Sequence, residues 1–219
     1  LEAHYDIDTN RIYCCGASNG SMMTYKISCQ LGHRFAAGAS VAGVLLDPIA
    51  ANYSFVGSLP MLICNGTNDG TVYYSGGPEP MMWSAEQTLN FWTQNNNCML
   101  DPDTVSFADT CTTDFCTVKK ISYSDSSNNV RVVFYKVNNG GHSWPQQACT
   151  FPSAGNINRD INMSVEIWNF FKHYTNPYTT IAYGKTIDVY PKYLIHQGDT
   201  LSVIASVTNP ANHKVSLFT

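Results

Sequence analysis

The apolar positions of this chain fall into two kinds of block. Short, nearly continuous runs occur at Arg11-Ile-Tyr-Cys-Cys15, Ala39 to Val41, Leu59-Pro-Met-Leu-Ile-Cys64 and Val130-Arg-Val-Val-Phe-Tyr135. They lack a steady polar alternation and so predict strands covered on both faces. Between them, apolar residues recur at helical spacing. Ser21 to Phe35 predicts a helix through Met22, Met23, Tyr25, Ile27, Leu31 and Phe35. Ser84 to Asn95 predicts another, with Ala85, Leu89 and Trp92 on one face. Asn162 predicts an N-cap for a helix to about Tyr174, through Val165, Trp168, Phe170 and Phe171. Strands alternating with helices predict an α/β domain with a mainly parallel sheet.

After Asn176-Pro177 the texture changes. Thr186 to Tyr190 and Thr200 to Thr208 alternate, Lys214 to Phe218 is a third candidate strand, and Asn209-Pro-Ala-Asn212 reads as a turn. This predicts residues 1–176 as an α/β domain and 177–219 as a linker and the opening strands of a β-sandwich-like module. Three strands bury too little core to stand alone, so the chain is expected to stop inside that module.

Composition narrows the function. The 219 residues suffice for one sizeable core, and 44% are hydrophobic, which excludes a disordered tail. Only 13% are charged, against about 25% in an average domain. A net charge of -4 without a basic stripe argues against nucleic acid as a partner. No apolar run reaches the roughly 18 residues of a membrane span. The eight cysteines form no C-x-x-C pair and no zinc-finger spacing. They predict an oxidising compartment, hence a secreted protein with disulfides, and no metal site.

Gly16-Ala-Ser18-Asn-Gly20 matches G-x-S-x-G between a β-prone run and a helix, where a nucleophile elbow presents its serine. An ordinary glycine-rich turn would share the pattern. A serine needs a base, and the base needs an orienting carboxylate, in the chain order Ser, Asp, His for this sheet architecture. Asp69 follows one buried strand and His142 another, on the rim where open α/β sheets build sites. Asp47 is the competing acid. His4, His33, His173, His196 and His213 read as exposed or structural.

The motifs together are more specific. Asp6-Ile-Asp-Thr-Asn-Arg-Ile-Tyr13, Gly16 to Tyr25, Arg34-Phe-Ala-Ala37, Val41-Ala-Gly43, Asn65-Gly-Thr-Asn-Asp69, Gly140-Gly-His-Ser-Trp-Pro145 and Asp160 to Phe171 resemble the polyhydroxybutyrate-depolymerase/feruloyl-esterase-like family. That group belongs with carbohydrate esterase family 1 in the α/β-hydrolase superfamily. The resemblance covers roughly Tyr5 to Tyr174. It implies the C-terminal part of a three-layer α/β-hydrolase fold and a secreted ester hydrolase. It implies Ser18 as nucleophile, His142 as base then acid, and Asp69 as orienter, with no cofactor. The backbone N–H of Asn19 is the expected oxyanion donor.

The chain also departs from that family. Ser21 stands where relatives carry glycine, and Cys14 and Cys15 replace apolar or threonine residues. Only 17 residues precede Ser18, so on the order of 100 residues of sheet are expected upstream in a longer protein. The resemblance also implies a Cys98–Cys116 disulfide, with Cys111–Cys149 as a second pairing. Cys14, Cys15, Cys29 and Cys64 read as buried thiols. Trp144, Trp83, Tyr73 and Tyr74 are candidates for a hydrophobic face toward substrate, with core packing as the equal alternative. The expected substrate is a polymer-linked ester, either a polyhydroxyalkanoate or a feruloyl or acetyl ester of plant polysaccharide. A serine peptidase is the neighbouring enzyme class. A non-catalytic surface or binding module derived from an esterase is the alternative outside enzymes. Sequons occur at Asn52, Asn65 and Asn162, and a glycan on Asn65 would conflict with catalysis beside it.

Overall fold

The computed structural model describes residues 7–53, 57–77, 81–146 and 154–177. The chain divides into Leu1–Thr179 and Thr180–Thr219, and every described residue lies in the first unit. The predicted β-sandwich strands and Cys149 fall outside the described residues.

Strands β1 (Tyr13–Ala17), β2 (Ala37–Val41), β3 (Met61–Gly66), β4 (Asp103–Ser106), β5 (Thr117–Ser124) and β6 (Val130–Asn138) form one sheet in the order β1-β2-β3-β6-β5-β4. The pairs β1–β2, β2–β3 and β3–β6 are parallel, whereas β5 and β4 continue the sheet antiparallel. Helices α1 (Asn19–Leu31), α2 (Asp47–Ala51), α3 (Ala85–Asn95) and α4 (Met163–Phe171) complete the domain.

Side-chain alternation along the central strands builds two cores. Leu62 and Cys64 of β3 and Val133, Tyr135 and Val137 of β6 meet α4 through Met163, Ile167, Phe170 and Phe171. Met61, Ile63, Val132 and Phe134 face the other way, toward Tyr25 and Cys29 of α1 and Ala85, Leu89 and Trp92 of α3. Each fully buried valine, leucine, isoleucine, phenylalanine or methionine among them stabilises the fold by about 1.5–3 kcal/mol. The result is helix, sheet, helix in three layers, compatible with an α/β-hydrolase.

Element boundaries depart from the sequence pattern for local reasons. β3 begins after Pro60, which has no N–H to give the ladder. α1 begins at Asn19, two residues before Ser21, because the elbow feeds the helix directly. Asn162 caps α4 by accepting from the Val165 N–H at 3.2 Å, but the helix ends at Phe171 rather than Tyr174. β4 is exposed throughout and β5 carries Lys119-Lys120, so neither shows a buried-strand pattern.

The cysteine expectations need correction. Cys98, Cys111 and Cys116 are free thiols. Cys98 lies against the Tyr123 carbonyl, with its Sγ at 3.9 Å, near the end of β5, whereas Cys116 directly precedes the start of that strand. A strand of that length holds them on the order of 20 Å apart, and a disulfide needs Cα atoms within about 7 Å. Cys111 Sγ instead sits 3.6 Å from Thr113 Oγ1. Cys14, Cys29 and Cys64 are buried, and burial pushes each thiol up to about 12. Cys15, expected among the buried thiols, is exposed on the edge strand β1.

Candidate active site

The site stands where the parallel strands end. β1 runs into Ser18, whose φ of 55° and ψ of -120° lie outside the regions an L residue favours. The Ser18 N–H donates to the Val41 carbonyl of β2 at 2.9 Å, which fixes the sharp turn before α1 begins. Gly16 permits that turn. A Cβ there would meet the Gly20 carbonyl oxygen at 2.3 Å and its carbon at 2.4 Å. Gly20 is different, since a Cβ on it meets nothing within 4 Å. The two motif glycines are therefore unequal. Gly16→Ala is expected to cost about 3 kcal/mol or more in denaturant unfolding. Gly20→Ala should be neutral or stabilising by up to about 1 kcal/mol, because Ala suits a helix better.

Asp69 hangs from a turn just beyond β3. Its Oδ1 accepts the Thr71 and Val72 N–H groups, both at 2.8 Å. This leaves Oδ2 for His142 Nδ1, also at 2.8 Å. His142 follows β6, and its Nε2 lies 2.8 Å from Ser18 Oγ. Asp69 is buried and the His142 side chain is 17% exposed, so one ring nitrogen is shielded while the serine end faces outward. An ionised carboxylate only accepts, so Nδ1 carries the proton and Nε2 is free to accept from the serine hydroxyl. The arrangement can deprotonate Ser18 as it attacks and then hold the imidazolium.

The two loops are locked together. Gly66 and Gly140 meet backbone to backbone, since a Cβ on Gly66 would lie 2.3 Å from the Gly140 oxygen. The Asn68 N–H donates to that oxygen at 2.9 Å, and the Asn139 N–H donates to Thr67 Oγ1 at 2.8 Å. On the far side the Gly141 N–H donates to the Asn156 carbonyl at 2.8 Å.

A model of the prolyl oligopeptidase family matches residues 1–54. That family consists of serine hydrolases of the α/β-hydrolase superfamily, so the match supports that superfamily and a serine hydrolase. The matched stretch includes β1, Ser18, α1 and β2, and ends before Asp69 and His142. Esterase and peptidase are both compatible with it. No curated protein matches the chain. Among the described residues no helix is long and apolar enough to cross a membrane.

The remaining candidates separate cleanly. Asp47 accepts from the Trp83 indole N–H and makes no contact with His142, so Asp69 alone fills the acid position. Trp83 packs edge-on against Phe91 with centroids 5.9 Å apart, and Tyr74 lies against Phe134 at 6.4 Å; both serve the core beside α3. Tyr73 is half exposed. Trp144 is half-buried against the α4 core, its indole N–H donating to Ser164 Oγ at 3.1 Å. Asn19 opens α1, where the first N–H groups of a helix have no partner within it. Asn65 is buried and donates to the Gly43 carbonyl at 3.1 Å, so the folded protein cannot present this sequon for glycosylation. Sequence reasoning missed its positioning role and that of Asn139; the one available signal was a polar residue inside an apolar strand.

Proposed function

We propose that this chain is a secreted serine carboxylic-ester hydrolase acting through an acyl-enzyme on a polymer-linked ester. The observation that carries the reading is the unbroken hydrogen-bond chain from Ser18 through His142 to buried Asp69. Ser18 Oγ attacks the ester carbonyl while His142 Nε2 takes its proton, and Asp69 stabilises the imidazolium. The Asn19 N–H, at the positive end of α1, donates to the oxyanion. His142 returns the proton to the leaving alcohol, then activates water to release the acid. These steps require no metal or organic cofactor. Trp144, two residues from the base, and half-exposed Tyr73, four from the acid, are the proposed substrate contacts. Secretion and the polymeric ester rest on the family resemblance and the low charge. The hydrogen-bonded side chains favour an enzyme over a binding module.

A serine peptidase is the second reading, favoured by the family match over residues 1–54. A panel of a short-chain chromogenic ester, methyl ferulate, a polyhydroxybutyrate film and a chromogenic peptide separates the two. The ester reading expects turnover of at least one ester and none of the peptide; the reverse assigns a peptidase.

A further inference from the structure

We propose that Phe115 is a contact residue for the apolar chain of a polyester substrate, an inference that rests on the ester-hydrolase reading above. Phe115 is 73% exposed and adopts a φ of 60°. A left-handed backbone suits glycine or asparagine and disfavours a bulky L residue. The ring gains little from the core at such exposure. Neither local conformation nor burial therefore accounts for phenylalanine here, and strained residues of this kind gather at functional sites.

The loop that carries the ring is held rigidly. Buried Asp114 accepts from the Cys116 N–H and from the Arg159 N–H, both at 2.7 Å. Asp160 accepts from the Thr110 N–H at 2.8 Å and the Cys111 N–H at 3.1 Å. The same loop is tied to the candidate site. Asn139 Nδ2 donates to the Phe115 carbonyl at 2.9 Å, while the Asn139 N–H binds Thr67 Oγ1 and its loop continues to His142. Phe115 thus presents an apolar ring from the rim that bears Asp69 and His142. Asp109, Asp114 and Asp160 surround this loop closely enough to raise the Cys116 thiol, beyond what its burial does. An uncharged chain is accepted beside those carboxylates, and the acid released by hydrolysis is repelled.

The test uses Phe115→Asn, which suits the left-handed backbone, and Phe115→Trp, which keeps an aromatic ring. Hydrolysis of a polyhydroxybutyrate film, hydrolysis of a soluble short-chain ester and the melting temperature are measured for both and for the wild type. Phe115→Asn is expected to melt no lower than the wild type, to hydrolyse the soluble ester within twofold of it, and to lose about tenfold on the film. Phe115→Trp should keep film activity. Unchanged film activity in Phe115→Asn, or an equal loss on both substrates, overturns the inference. Failure of the wild type on every ester instead overturns the ester-hydrolase reading, and the inference falls with it.

Discussion

Ser18→Ala is expected to lower ester turnover by about a millionfold, to a residue of catalysis left by binding and oxyanion contacts alone. The size follows from the division of labour. His142 Nε2 has no other nucleophile within the hydrogen-bond chain, so losing Oγ removes covalent catalysis entirely. The fold should not suffer. Ser18 makes no side-chain cap to α1, and alanine inherits the same backbone strain at a φ of 55°. Steady-state hydrolysis of a chromogenic ester, with thermal melting as control, checks both halves. A mutant retaining a tenth of wild-type turnover would place the nucleophile elsewhere.

Asp69→Asn carries the second largest effect, about ten thousandfold in kcat with little change in KM. The amide that replaces Oδ2 donates rather than accepts. It therefore favours the His142 tautomer with the proton on Nε2, which points at Ser18 and cannot act as base. The turn itself should survive, because the remaining amide oxygen can still accept from the Thr71 and Val72 N–H groups. Activity within tenfold of wild type would show that the carboxylate is not the orienter.

These two residues were legible in the sequence because each sits in a short polar turn directly after an apolar run. Chain order left Asp47 as a competitor, because both acids lie between Ser18 and His142, and the Trp83 indole accounts for what Asp47 does instead. Strands β2, β3 and β6 were legible for the same reason, since burial on both faces leaves an apolar run with no competing period, whereas β1 showed the same kind of run at the sheet edge with Cys15 exposed. What the sequence concealed is of a different kind. β4 is exposed along its whole length, so solvent imposes no pattern on it. The difference between Gly16 and Gly20 depends on which backbone atoms approach from the next turn, and a motif records only that both are glycine. The Cys98–Cys116 pairing failed because sequence separation does not show that β5 runs between the two thiols. Asn65 and Asn139 act through backbone contacts across loops far apart in sequence, which no local pattern encodes.

The central claim is that Ser18 is an activated nucleophile, and covalent labelling addresses it without choosing a substrate. The folded chain would be incubated with a fluorophosphonate and the adduct located by peptide mass spectrometry. A single adduct on Ser18, lost in His142→Ala, is the predicted result. A folded chain that takes no label, or takes it on another serine, would contradict the account.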